Sequence, residues 1–186
     1  SIFYYNNANW LEWNDSYVKA AEGPIASDTN KRVYWSGEGG AGGYPRMGVV
    51  SGVVSGSSGY PATIYRLGVP APTNAPSVSK SGTASSTQDP YSVSYVYTLV
   101  TVYGEEGPPS AATTPIDLTD DETVTVTMAS GHVPSGNYNF GTGALKRIYR
   151  SNTGSTNTTF QFVGSVAISA TSFSDTTDAA DLGEVL

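Results

Sequence analysis

The second half of the chain is a series of short β-forming segments separated by turn residues. In order, these segments are YSVSYVYTLVTVY, ETVTVTM, LKRIYRS, FQFVGSV and TSFSD, with Gly, Pro, Asn, Asp or Ser between them. Short strands at such spacing are typical of an all-β sandwich. Charged residues make up only 13% of the chain. We expect little helix, because exposed helix faces are normally rich in Glu, Lys and Arg.

Alternating side chains predict which residues of these strands face the core. Val124, Val126 and Met128 alternate with three threonines, and Phe160 and Phe162 flank Gln161. Successive side chains of a strand point to opposite faces of its sheet. We therefore predict that these five apolar side chains lie on interior faces of the sandwich.

The stretch YVYTLVTVYGEEGPPS, residues 95–110, runs from strand formers directly into turn residues. Both faces of its strand are apolar or aromatic, which predicts a central strand or one whose second face meets a partner. Proline has no N–H to donate to a neighbouring strand. We predict a turn at Gly104 and Gly107, a soluble tip at Glu105 and Glu106, and protection of the sheet edge by Pro108 and Pro109.

The first 70 residues have a different composition, with all three tryptophans in short aromatic clusters and five glycines between positions 37 and 43. We interpret residues 1–70 as a loop-rich small β region, residues 71–82 as a Pro/Ser-rich linker, and residues 83–186 as the sandwich. The first region is expected to have a sparse core and to be poorly folded as an isolated monomer. Its aromatic residues are open to three interpretations: the core of a small β unit, a subunit interface, or a sugar-stacking platform. The candidate interface residues are Trp10, Trp13, Tyr34, Trp35, Tyr44 and Tyr60.

Composition argues against several classes of function. The net charge of −7 leaves no broad basic surface for phosphates, so direct nucleic-acid binding is not expected. Without cysteine there are no disulfides and no cysteine-ligated metals. No apolar run approaches the ~20 residues of a membrane span.

No catalytic, cofactor or metal site is predicted, and we interpret the protein as a non-enzyme. His132 lies in a loop composition, and no GxSxG motif or cysteine accompanies it. The acidic run DLTDDE, residues 117–122, lacks the spacing of a calcium loop and is interpreted as a solvated turn. Other patterns carry no prediction of function: the carboxylate pairs Glu105/Glu106 and Asp178/Asp181, the sequons at Asn14 and Asn157, and the GxGxxG-like SGEGGAGGYP.

Two resemblances to known protein families make this interpretation more specific. LKRIYRSNTGS, FQFVGSV and YVYTLVTVYGEEGPPS resemble fibronectin type III-like domains, which implies an immunoglobulin/fibronectin III-like sandwich. Their order is unusual, because the hairpin that ordinarily closes such a domain here precedes the other strands. Either one sandwich is rearranged, which we favour, or the hairpin and the later strands belong to different units.

The second resemblance concerns biology. YRLGVPAPTNAP, PYSVSYVYTLVTVYGEEGPPS, RIYRS and TSFSDTTDAADLGEVL resemble stretches of tailed-bacteriophage virion proteins of the nozzle or tail-tip type. This resemblance implies a structural virion protein whose partners are copies of itself and other tail proteins, and a chain that continues beyond Leu186. The alternative is an extracellular carbohydrate-binding or adhesion module, which would use the aromatic residues of the first 70 positions on a fibronectin-like sandwich.

Overall fold

The computed structural model describes residues 1–40, 43–153 and 158–186, and the chain divides into two compact units. The first unit comprises Ser1–Gly68 and Gly136–Asn139, and the second comprises Val69–Ser135 and Phe140–Leu186. The described residues are almost entirely strand and loop, in agreement with the predicted all-β class. Their longest α-helix, α1 (Val50–Val53), has four residues. No helix in these ranges is long and apolar enough to cross a membrane.

The first unit contains a hairpin and a four-stranded antiparallel sheet. The hairpin pairs β1 (Ile2–Tyr5) with β2 (Asn9–Glu12). The sheet has the order β3-β4-β5-β6. Its strands are β3 (Lys19–Glu22), β4 (Val33–Ser36), β5 (Arg46–Gly48) and β6 (Tyr65–Arg66).

The described residues of the second unit form eight strands. They are β7 (Ser77–Gly82), β8 (Tyr91–Val93), β9 (Tyr95–Val100), β10 (Ile116–Leu118), β11 (Glu122–Thr127), β12 (Leu145–Thr153), β13 (Thr158–Ala167) and β14 (Ser172–Asp175). They form the antiparallel sheets β14-β11-β7 and β13-β12-β9 and the pair β10-β8. Both three-stranded sheets contribute side chains to one hydrophobic cluster, as in a sandwich-type fold.

The strand boundaries differ from the predicted linker. Ser77–Gly82, the second half of the segment interpreted as linker, is β7 and pairs with β11 along its whole length. The second unit therefore begins well before residue 83. The strand of YVYTLVTVYGEEGPPS and the later strands lie in this one unit, as the rearranged-sandwich alternative requires.

The alternation in β11 places the predicted side chains correctly. Val124, Val126 and Met128 are buried in the core of the second unit, whereas Thr125 is only partly buried. On β11, Val126 lies opposite Val78 of β7 and Phe173 of β14, and both of these partners pack against the same core.

The prediction for Phe160 and Phe162 is wrong. A β-bulge shifts the register between β12 and β13, so that Gly164 pairs with Ile148 while Phe162 pairs with Tyr149. Phe160 and Phe162 are only partly buried and lie outside the core cluster.

Side chains beyond the bulge take the core positions of β13 instead. Val163 and Val166 pack against the core. A Cβ on Gly164 would lie only 2.6 Å from the ring of Phe173, so the sheets approach each other here as closely as a glycine permits.

The strand β9 is not central. It is the last strand in the order β13-β12-β9, yet all six of its residues are buried. Residues 105–113, which we call the edge segment, cover the outer edge of β9. The N–H groups of Gly107, Ser110 and Thr113 donate to the carbonyls of Leu99, Tyr97 and Tyr95, at 3.0, 2.9 and 2.9 Å.

The amide groups of β9 that point towards the edge segment donate their hydrogen bonds to side-chain oxygens. The N–H of Tyr97 donates to Ser110 Oγ at 3.2 Å, and that of Tyr95 donates to Thr113 Oγ1 at 3.0 Å. Side-chain oxygens thus replace the carbonyls that a regular strand would present, and no amide of Tyr95 or Tyr97 is left without a partner.

The roles predicted for the following turn are partly wrong. Gly104 makes the turn, with a φ of +79° and its N–H donating to Thr101. Gly107 instead belongs to the edge segment, and Glu106, which is exposed, also forms an ion pair with Arg147. Pro108 and Pro109 are exposed within the segment that covers β9, so their edge protection stays a prediction.

Truncation of β11 tests its register. Val126→Ala is expected to lower the free energy of unfolding by about 2–3 kcal/mol, because two buried methyl groups are lost and a cavity remains. Thr125→Ala, on the opposite face, should cost well under half as much. Urea melts of both variants make the comparison. A larger loss for Thr125→Ala means that the register of β11 is displaced by one residue.

The edge segment has its own test in Thr113→Val, which keeps the shape of the side chain but removes the acceptor of the Tyr95 amide. We expect a loss of about 1–3 kcal/mol, since a buried N–H is left without a partner. The matched control is Thr114→Val at an exposed neighbouring position, where a change within about 0.5 kcal/mol is expected. Equal urea midpoints for the two variants would contradict the role of Thr113.

Candidate functional site

The hairpin of the first unit has one buried and one exposed face. Tyr5 and Leu11 are buried. On the other face, Ile2, Tyr4 and Trp10 are 71%, 47% and 63% exposed, and we call these three residues the hairpin face. Tyr4 pairs with Trp10 across the hairpin, with ring centroids 4.8 Å apart. The two rings are in contact, so the hairpin face presents a continuous apolar surface.

Two of the six candidate interface residues are core residues. Trp13 and Trp35 are 5% and 3% exposed, with ring centroids 5.7 Å apart. They belong to a cluster with Tyr5, Leu11, Val33 and Val53. The first unit thus has a more substantial core than its composition predicts. Tyr34, the neighbour of Trp35 on β4, is partly buried.

A buried carboxylate links three side chains of the first unit. Glu38 is 6% exposed and accepts a hydrogen bond from Trp35 Nε1 at 2.8 Å. It also accepts one from the hydroxyl of Tyr60 and pairs with Arg46 at 3.1 Å. The hydrogen bond to Glu38, assisted by burial, raises the pKa of Tyr60. Sequence analysis missed this residue because Glu38 lies in a glycine-rich segment that resembles an open loop.

Tyr44 is a stacking partner within the unit. The guanidinium carbon of Arg66 lies 3.8 Å from the centroid of the Tyr44 ring and 5.0 Å from that of Tyr138. Arg46 lies 5.2 Å from the Tyr44 centroid. Tyr44 and Tyr60 are each 38% exposed. Of the six candidates, only Trp10 therefore combines high exposure with a neighbouring exposed aromatic ring.

His132, the only histidine of the sequence, lies at the end of a short turn in the second unit. It ends a short 3-10 turn (Ser130–His132), is partly buried, and its carbonyl accepts the N–H of Thr73 at 2.9 Å. Its Nδ1 is buried without a hydrogen-bond partner.

The acidic run 117–122 is tied into local hydrogen bonds. Asp120 accepts from Gln88 at 3.1 Å, and Glu122 accepts from the Thr119 amide at 3.0 Å and pairs with Lys80. Within residues 1–40, 43–153 and 158–186, no three metal-ligating side chains are grouped so that they would hold an ion.

Two sequence motifs lie partly outside the described residues. Asn14 is exposed, whereas Asn157 of the second sequon is not described. The GxGxxG-like SGEGGAGGYP includes residues 41 and 42, which are not described either.

The Glu106 carboxylate of the second unit has three side-chain partners. Its Oε1 accepts from Thr98 and from the Tyr149 hydroxyl, each at 2.5 Å, and its Oε2 pairs with Arg147 at 2.7 Å. Burial opposes ionisation, but these three donors outweigh it and lower the pKa of Glu106. Burial, followed by the hydrogen bond to Glu106 and its negative charge, raises the pKa of Tyr149. With three partners in place, the Glu106 carboxylate links the edge segment to β9 and β12.

Comparison with known proteins adds no relative to this picture: no protein-family model, curated protein or solved structure matches the chain.

The pH dependence of stability tests the Glu106 link. Its pKa is lower in the folded state than its unfolded value of about 4.3. Its contribution is therefore complete above pH ~4.3 and is lost as the pH falls through the folded-state pKa. Glu106→Gln should lower the urea midpoint at pH 7, and the difference from the unaltered chain should shrink towards pH 3.

The matched control for that measurement is Glu105→Gln, since the Glu105 carboxylate accepts a single side-chain bond, from Thr101 at 3.1 Å. A smaller effect is expected there. A Glu106→Gln deficit that stays constant from pH 7 to pH 3 would mean that ionisation of this carboxylate does not stabilise the fold.

Proposed function

We propose that the chain is a structural component of a bacteriophage tail that assembles into an oligomeric virion substructure through subunit contacts. The observation that carries the proposal is the hairpin face, where Ile2, Tyr4 and Trp10 are exposed side by side. The resemblance of roughly the C-terminal two-thirds of the chain to tail proteins supports it. An ordered aromatic surface loses little side-chain entropy when it is buried, which suits it to a protein interface.

The proposed occupant of the hairpin face is another copy of this chain or an adjoining tail protein. With a net charge of −7, identical copies repel one another at long range, so the attraction between them must come from apolar contact. Trp10 is the natural anchor, because tryptophan is enriched among residues that dominate interface energies. The proposed location is the virion tail.

The alternative, a carbohydrate-binding or adhesion module that uses the aromatic residues of the first unit, is less well supported. Trp35 is buried against Trp13 and Glu38. Arg66 lies over the Tyr44 ring. These contacts occupy ring surfaces that a stacking platform needs, and they leave Trp10 with Tyr4 as the exposed pair.

Trp10→Ala tests the assembly. The full chain is expected to associate with increasing concentration in sedimentation velocity, and Trp10→Ala should weaken association at least tenfold while leaving the urea midpoint unchanged. Tyr17→Ala is the matched control, because Tyr17 is an exposed aromatic residue, 86% accessible, outside the hairpin face. If Tyr17→Ala impairs association as much as Trp10→Ala does, the hairpin face is not the interface.

Electron microscopy of the native particle tests the location. The proposal expects ring or tube density that this chain fits, with the hairpin face buried between neighbours. Virions in which no density corresponds to the chain would overturn the tail assignment.

A further inference from the structure

A cavity of about 480 Å³ lies within the second unit, and none of its lining residues is among the six candidate interface residues. Its walls come from β8, β12, the turn before β11 and the 3-10 turn Ala179–Asp181. We call it the Arg150 cavity; the lining residues that matter for its chemistry are Tyr91, Val93, Asp120, Arg150, Ala179 and Leu182. Its volume is in the range of small-molecule sites in proteins.

Arg150 gives the cavity a buried hydrogen-bond donor. Its side chain is 5% exposed, and its Nη1 donates to Asp175 Oδ2 at 2.8 Å. The hydroxyl of Tyr95 donates to the same oxygen at 2.8 Å. Nη2 is buried and has no hydrogen-bond partner. A buried guanidinium nitrogen in this state is unfavourable, so an acceptor supplied by a ligand stabilises it.

The charges around the cavity argue against an ionic ligand. The positive charge of Arg150 is already neutralised by Asp175, and Asp120 adds a negative charge on the wall. An anion would therefore be repelled by the Asp120 carboxylate, with no net positive charge on the wall to offset it. A cation would have to lie beside the guanidinium. A neutral ligand with both acceptors and donors meets neither penalty.

The remaining walls complete the chemical description. Val93, Ala179 and Leu182 are apolar, and the partly buried Tyr91 presents an aromatic ring. The other lining residues, Ser92, Ser151 and Asn152, are polar and uncharged. Burial, followed by smaller and mixed effects of the neighbouring charges, raises the pKa of Tyr91, so its hydroxyl is neutral at physiological pH. One side of the cavity thus favours C–H surface and the other favours hydroxyl groups.

We infer that the Arg150 cavity binds a neutral saccharide unit. One ring hydroxyl donates to the Asp120 carboxylate, and the C–H face lies against Tyr91 and Leu182. A hydroxyl oxygen accepts from Arg150 Nη2 once the side chains that enclose this buried nitrogen move aside. This inference does not depend on assembly through the hairpin face, which lies in the other unit.

The first experiment compares saccharides that share a ring and differ in charge. Saturation-transfer NMR on the full chain uses the methyl glycosides of glucose, galactose, mannose and N-acetylglucosamine, together with the charged methyl glucuronide and methyl glucosaminide. At least one neutral glycoside should bind saturably, and at least tenfold more tightly than either charged one. Absence of binding by all four neutral glycosides, or preference for a charged one, overturns the inference.

The second experiment locates the binding. Ala179→Trp fills the cavity from an exposed position on its wall and should weaken binding of the preferred glycoside at least tenfold. Ala180→Trp is the control, because Ala180 lies next in the same turn, is equally exposed and does not line the cavity. Equal affinities in the two variants place the saccharide elsewhere and refute the Arg150 cavity as its site.

Asp120→Asn separates ligand recognition from folding. It keeps the size of an exposed wall residue and removes its charge, so the urea midpoint should stay the same while the bias against methyl glucuronide decreases. An unchanged ratio of the two affinities would contradict the charge argument. Sedimentation of these variants should match that of the unaltered chain, so failure of saccharide binding and failure of assembly are distinguishable.

Discussion

The sandwich of the second unit depends on how the outer edge of β9 is covered. A strand whose six residues are all buried cannot leave its backbone groups unpaired, and it has a strand neighbour on one side only. The chain turns at Gly104 and returns along that edge. Hydroxyl groups of Ser110 and Thr113 bond the strand's amides. A buried sheet therefore ends without an additional regular strand.

A second buried link joins the two sheets of the core. Asp175 at the end of β14 accepts hydrogen bonds from Tyr95 of β9 and Arg150 of β12, which belong to the opposite sheet. Removing either partner of such a pair is costly, because the remaining charge stays buried. The same link holds Arg150 at the wall of the cavity. Structural support and ligand recognition would thus share one guanidinium group.

Sequence patterns predicted the parts of this fold that depend on local alternation. The threonine-valine alternation of β11 was sufficient to identify Val124 and Val126 as core residues. The same logic failed at Phe162, because a bulge in β13 depends on the pairing partner and leaves no mark in a single strand. Contacts between residues distant in sequence could not be predicted from local patterns either. Lys146 and Arg150 are buried by partners distant in sequence, and burial lowers the pKa of Lys146.

In the first unit, aromatic residues that are close in sequence differ widely in burial. Trp10 and Trp13 are three positions apart, yet one is 63% exposed and the other 5%. Composition treats them alike, whereas the pairing of Tyr4 with Trp10 fixes which side of the hairpin each side chain occupies. Burial of Trp13 and Trp35 gives the first unit a core on which the hairpin face can be held rigid. An exposed aromatic pair beside such a core is the kind of surface that is enriched at protein interfaces.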